Sequence, residues 1–185
     1  MQLELTQEET TTFNWPIPLS RTMAVPAERL WETITTPGIL EQSHPFVDKN
    51  PTVRWSGVGS RDTIYYYSGL TLDRHITHWI EGVGYDLDAT DQQGRTSHVL
   101  WRIDEVDGAR STLTIAIMPY LFQHTPRLLG WLPHHLYLRP MIRRYLDSVL
   151  KGIEVYLTTG QTVRRNQFGS HAVFSPRIKR GKDAA

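Results

Sequence analysis

The sequence predicts an α+β domain: an antiparallel sheet of about seven strands, two short helices after the first strand, and one long helix towards the C-terminus. Three observations carry this prediction. Between Thr52 and Pro119, short runs of period-two alternation are separated by glycine-containing gaps too short for crossover helices. Ahead of them lies a proline-opened stretch with helical spacing. Arg139–Thr159, RPMIRRYLDSVLKGIEVYLTT, then repeats apolar residues every three or four positions.

In chain order, Leu19, Met23 and Val25 share one parity with Arg21 and give a strand over Pro18–Val25. Pro26 opens a helix, where its missing N–H is no loss, with Glu28 in the first turn and Leu30, Trp31 and Ile34 as the apolar face. Thr36-Pro37-Gly38 ends it, and a second short helix is expected over Gly38–Ser43. Strands follow over Thr52–Trp55, Ser60–Ser68, Thr71–Glu81, Tyr85–Asp91, Arg95–Val106 and Thr112–Pro119. Turn residues at Gly57 and Gly59, Gly69, Gly82 and Gly84, Gly94 and Asp107-Gly108 join them into a meander.

Alternation within the meander separates two faces. Tyr85, Leu87 and Ala89 oppose Asp86, Asp88 and Thr90; Val99, Trp101 and Ile103 oppose Leu100, Arg102 and Asp104; Leu113, Ile115 and Ile117 oppose Thr112, Thr114 and Ala116. One dry and one wet face fit a sheet covered on one side. Residues 120–138 are rich in Leu and aromatics but cut by Pro126, Gly130 and Pro133, and are read as a short helix beside the sheet mouth. In the long helix, Ile142, Leu146, Val149, Leu150, Ile153 and Leu157 share a face, with Pro140 suited to the first turn and Gly160 to the position past the end. About twenty residues make a rod about 30 Å long. Such a rod cannot bury its own apolar face, so the sheet must supply its partner.

A length of 185 residues fits one domain, and a net charge of +1 supplies no global field for nucleic acid. Tyr65-Tyr66-Tyr67 and the Arg-rich end of the chain are not clustered, which argues further against a nucleic-acid partner. The absence of cysteine excludes a disulfide framework, a thiolate metal site and a cysteine nucleophile. The start, MQLELTQEETTT, has neither the positive region nor the apolar core of a signal peptide. The longest apolar run, Leu128–Leu138, is broken by Pro133, His134 and His135 and is too short for integral membrane association. A cytoplasmic protein, monomer or homodimer, is expected.

This order of elements resembles the helix-grip fold of the START and Bet v 1-like (SRPBCC) superfamily, which includes polyketide cyclase/dehydrase and lipid-transport families. AVPAERLWETITTPG is similar to that superfamily's opening, where a strand runs into an A-P-x-E-x-V-W helix. Gly57–Gly59 before a strand, WRIDEVDGARSTLTI as a hairpin and LKGIEVYLTTG at the end add to the likeness, and VRRNQFGSH resembles an extension found in some bacterial members. The resemblance spans residues 17–160. It implies a curved sheet wrapped around the long helix, and between them a cavity for a hydrophobic or aromatic small molecule, lipid- or polyketide-like, with no cofactor. It also divides the chain into a tail (1–14), a helix-grip ligand-binding domain (15–160) and a basic extension (161–185), whose apolar points up to about Phe174 are expected to lie along the body. Fold alone does not transfer function.

Parity nominates the residues of such a cavity. Tyr85, Val99, Trp101, Ile115 and Ile117 face the helix, which answers with Leu146, Val149, Leu150 and Ile153. Strand Thr71–Glu81 puts Leu72, Ile76 and Ile80 on one face with Arg74 and His78 interleaved. Strand Ser60–Ser68 puts Tyr65 and Tyr67 on one face and Ile64 and Tyr66 on the other; Tyr65 and Tyr67 are assigned to the interior. Plain core packing accounts for each aromatic singly. Polar groups on a dry face raise the free energy unless paired, and a cavity with a few convergent polar groups accounts for them together.

Binding is therefore the leading expectation. The alternative is an enzyme of polyketide cyclase/dehydratase type using His78 or Arg74, with His98 and Tyr67 nearby, as acid–base groups. No pair among these four has a spacing that demands chemistry, so tuning of ligand fit is the simpler role. A closed-core interaction domain is a third class. No metal site is expected: His75 and His78, three apart on a strand, point to opposite faces, and no companion carboxylate or cysteine is suitably spaced. Adjacent His134 and His135 fit a surface or helix end. Ser56–Ser60 is a hairpin turn, neither a nucleophile elbow nor a dinucleotide loop.

Overall fold

In the computed structural model, residues 15–121 and 131–177 are described. The expectations for the tail 1–14, for 122–130 within the Leu-rich segment, and for 178–185 fall outside them. The elements are β1 (Ile17–Met23), α1 (Ala27–Ile34), α2 (Leu40–Ser43), β2 (Val47–Lys49), β3 (Thr52–Arg54), β4 (Arg61–Tyr66), β5 (Thr71–Ile80), β6 (Gly84–Asp91), β7 (Thr96–Asp107), β8 (Arg110–Met118) and α3 (Arg139–Thr159). The strands form one antiparallel sheet of eight in the order β1-β8-β7-β6-β5-β4-β2, with β3 also on β4. Seven of the eight match sequence-predicted strands. The additional one, β2, has three residues, too few for an alternation to be read.

The sheet curls around α3, whose Ile142, Leu146, Val149, Leu150, Ile153 and Leu157 are all buried in the main core with Leu30, Trp31 and Ile34 of α1. At Gly152 a Cβ would stand 2.2 Å from the Ser43 carbonyl oxygen, so this glycine lets α2 close against α3. Gly160 ends the helix in the left-handed region, its N–H donating to the Tyr156 carbonyl at 2.8 Å.

Two departures from the sequence reading matter for the site. First, α3 does not begin freely at Pro140. Helical residues 131–133 and a π-turn, His134–Leu138, lead straight into it, and the Arg139 N–H bonds the His134 carbonyl five residues back. Pro140 has no N–H to continue the ladder, so a wider turn at this junction absorbs the gap. Second, β5 carries a bulge: Ile76 pairs Leu87, whereas His78 pairs Asp86. The extra residue reverses the parity of the strand beyond it. Leu72, Arg74 and Ile76 face inward, then Trp79 does, while His78 and Ile80 turn outward.

The outer face is less uniformly wet than alternation predicts. Leu100, Ala116 and Met118 form a second buried apolar cluster there. On the same face Asp86 is ion-paired with Arg102, with His78 at 3.7 Å, and His98 Nδ1 meets Asp88 at 2.8 Å.

Residues beyond α3 pack onto the body, as their apolar points predict up to Phe174. Val163 N–H donates to the Gln42 carbonyl at 2.8 Å, Asn166 N–H to that of Pro45 at 2.9 Å, and Ser68 N–H to that of Phe174 at 3.1 Å.

Candidate functional site

Between the inner face of the sheet and the N-terminal half of α3 lies a cavity of about 250 Å³. Strands contribute Ile64, Leu72, Leu87, Val99, Trp101, Ile115 and Ile117; the helix side contributes Leu138, Ile142, Leu146 and Val149. Phe174, from the C-terminal segment, completes the wall. The mouth lies where Leu121 and Val173 are 40% and 44% exposed, beside Asp91, Arg95 and Tyr120. There Arg95 Nε donates to Asp91 at 2.7 Å and its guanidinium lies 4.7 Å from the Tyr120 ring centre.

Two polar groupings interrupt the apolar wall. One is a buried ion pair set by sheet register. The β4–β5 hairpin turns about Ser68, which brings Asp62 opposite Arg74. Arg74 Nε donates to Asp62 Oδ1 at 2.7 Å and its Nη2 to Oδ2, a two-pronged contact. Asn50 Nδ2 donates to the same carboxylate at 2.9 Å. Burial opposes the charge on Arg74, but the charge and hydrogen bonds of Asp62 outweigh it and hold the guanidinium above its ordinary value.

The other grouping joins α2, β4 and α3. Phe46 N–H donates to His44 Nδ1 at 3.1 Å, His44 Nε2 lies 3.0 Å from the Tyr145 hydroxyl, and that hydroxyl lies 2.9 Å from the Tyr66 hydroxyl. Burial, helped by the Arg74 charge, pulls His44 down to about 3. Burial pushes Tyr66 up to about 12 and Tyr145 well above its usual range. All three are therefore neutral through the physiological range. The Phe174 ring covers the two tyrosines, 4.3 Å from Tyr145 and 4.9 Å from Tyr66 between centres.

Of the residues nominated from sequence, Arg74, Val99, Trp101, Ile115, Ile117, Leu146 and Val149 line this cavity. Ile76, Tyr85, Leu150 and Ile153 are buried in the adjoining core. Four polar or aromatic candidates lie elsewhere. The β5 bulge sends His78 to the outer face, and His98 sits there with Asp88. Tyr65 is 43% exposed, and Tyr67 lies under the Arg165 guanidinium at 4.4 Å. The inward parity of β4 belongs instead to Asp62, Ile64 and Tyr66, because Asp62 must meet Arg74.

His44, Tyr145, Asp62, Asn50 and Phe174 were not signalled as site residues by alternation. His44 sits in a Ser-His-Pro turn, whereas Tyr145, three residues after Ile142 and four before Val149, falls on the apolar stripe of α3. Besides the helical spacing of Tyr145, Asp62 had a readable signal: a hairpin centred on Ser68 pairs it with Arg74 by counting. Among the described residues no three His, Asp or Glu side chains group as a metal site, and no described helix is long and apolar enough to cross a membrane.

No protein-family model and no curated protein matches the sequence. Solved structures match its architecture. DynU16, from the dynemicin biosynthetic locus, superposes with a TM-score of 0.61 over 80% of this chain at 15% identity, and this chain spans about half (49%) of DynU16. Ara h 8.0201 gives 0.59 at 16% identity, covering 78% of this chain and 98% of its own. A START superfamily protein from Mycobacterium smegmatis gives 0.59 at 10% identity, covering 79% and 99%. At these identities the likeness concerns fold, and the curled sheet closed on α3 is the helix-grip fold of the Bet v 1-like and START proteins.

Proposed function

We propose that the protein binds a compact apolar or aromatic small molecule between the sheet and α3, with residues 15–160 as the binding domain and the following segment completing its wall. The observation that carries this reading is a hollow on which strands, helix and C-terminal segment converge without filling it. Its walls are mainly aliphatic, which is the usual make-up of a small-molecule site. A volume of about 250 Å³ lies just under the ~300–1,000 Å³ typical of such sites and favours a small ring system over a bulky lipid.

Acid–base catalysis needs a group that exchanges its proton near the working pH. His44 at about 3 and Tyr66 at about 12 keep one state through neutrality, and Arg74 is committed to Asp62. His78, the other catalytic candidate, is on the outer face. These placements favour binding over cyclase or dehydratase chemistry.

Titration with a neutral naphthylamine fluorophore tests the reading. Saturable one-to-one uptake is expected, weakened at least tenfold in Ile117→Trp, which fills the cavity. Ile117 is only partly buried, so that variant should keep its melting temperature within a few degrees. Absence of saturable uptake by the wild-type protein overturns it.

A further inference from the structure

Resting on the binding reading above, we infer that the ligand is a neutral apolar molecule carrying a carbonyl-type acceptor oxygen, received by the Tyr66 hydroxyl at the end of a one-way hydrogen-bond relay. The inference follows from counting protons. A backbone N–H can only donate, so the Phe46 amide 3.1 Å from His44 Nδ1 requires a lone pair on that nitrogen. Neutral His44 then carries its one hydrogen on Nε2, which donates to Tyr145 at 3.0 Å. The two phenols share one hydrogen bond of 2.9 Å but hold two hydroxyl hydrogens. One of them has no acceptor among the described residues.

Cooperativity assigns which. A hydroxyl that accepts one hydrogen bond becomes a better donor, so the favoured order runs His44 to Tyr145 to Tyr66. The spare donor is then the O–H of Tyr66, a buried residue on the cavity wall. A buried donor without an acceptor is destabilising, and the guest is the group placed to supply one.

The surroundings narrow the chemistry. The Arg74 charge reaches both phenols, but at Tyr66 the Asp62 charge opposes it, so the requirement here is for an acceptor oxygen and not for a countercharge. Arg74 is already matched by Asp62, so a carboxylate would enter as an uncompensated buried charge. A ketone, quinone or ester oxygen on an apolar frame satisfies both conditions.

The matched pair fluorene and 9-fluorenone tests this on the full chain. In wild type, bound fluorenone should show a carbonyl infrared band lowered relative to alkane solvent. Tyr66→Phe should weaken fluorenone about tenfold and return the band to its alkane position, while fluorene affinity, which reports an intact cavity, changes less than twofold. Tyr145→Phe should give a smaller loss, since Tyr66 keeps its hydrogen but not its polarising partner. If both probes bind and Tyr66→Phe treats them alike, or the wild-type carbonyl band sits at its alkane position, the inference is overturned while cavity binding stands. If neither binds, the binding reading fails and the inference with it.

Discussion

The groove between sheet and helix has two ends that solve the same packing problem differently. Towards α1, large rings fill it. Trp79 and Tyr85 stack at 5.7 Å, Tyr85 and Trp101 at 5.5 Å, and Trp31 meets Trp79 edge-on at 5.0 Å. Their polar tips are used: Trp31 and Trp79 each donate to Glu81 at 2.9 Å, and Trp55 donates to the Thr35 carbonyl at 2.6 Å. Towards the start of α3 the facing residues are aliphatic, and Trp101 marks the border, belonging both to the stack and to the cavity wall. Aromatic side chains bury about 150–250 Å² each. Leu, Ile and Val on the same curved scaffold fall short of the helix, and a hollow remains. The charged groups of the hollow end are also paired with each other, Arg74 with Asp62, which keeps it from collapsing onto unmet charge.

The contrast is sharpest at its charges. Asp62→Ala would strand a buried Arg74 and is expected to destabilise by about 3–5 kcal/mol, read from urea unfolding. Replacing both partners, Asp62→Leu with Arg74→Met, should recover most of that loss, because the penalty belongs to the unpaired charge. Equal losses in the single and double variants would mean that the pair shapes the hollow by geometry alone.

Acid should weaken the hollow end next. His44 stands near 3 in the folded protein against 6.5 ordinarily, so between those values the unfolded chain binds a proton that the folded one refuses. Its contribution is complete above 6.5, falls as the pH drops, and levels off below about 3. The slope is about 1.4 kcal/mol per pH unit. His44→Asn, whose amide oxygen can still accept the Phe46 N–H, should flatten unfolding free energy across pH 6 to 4 relative to wild type.

Packing separates the ends by a smaller margin. Val99→Phe at the hollow end has room to point into and should shift stability by less than about 1 kcal/mol, whereas Ile103→Phe in the filled core should lose about 1–3 kcal/mol. Thermal melts of the two variants suffice, and the reverse ranking would mean that the two ends are packed alike.

The filled end and the apolar wall of the hollow were legible in the sequence, and the polar parts of the hollow were not. Leu30, Trp31, Ile34, Tyr85 and the stripe from Ile142 to Leu157 declare themselves because regular alternation and helical spacing survive in their elements. The polar parts of the cavity arise where regularity breaks. A bulge relocates His78, a hairpin centred on Ser68 decides between Tyr65 and Tyr66, and a Ser-His-Pro turn delivers His44. Such irregularities are settled by contacts distant in sequence, Asp62 with Arg74 and Tyr145 with His44, which period counting does not see.

The mouth of the cavity supplies the weakest and most discriminating comparison. Arg95 and Asp91 make the same kind of guanidinium–carboxylate contact as Arg74 and Asp62, but the Arg95 side chain is 49% exposed. Asp91 Oδ1 also accepts the backbone N–H groups of Gln93 at 2.9 Å and Arg95 at 3.0 Å, so removing the guanidinium frees only Oδ2, which water can reach at this rim. Water and turn amides then do most of what the cation did. Arg95→Ala should accordingly change unfolding free energy by less than about 1 kcal/mol, several-fold below Asp62→Ala. A loss at Arg95 comparable with that at Asp62 would mean that the rim is as desolvated as the interior. The hollow would then be sealed at the rim formed by Asp91, Arg95 and Tyr120.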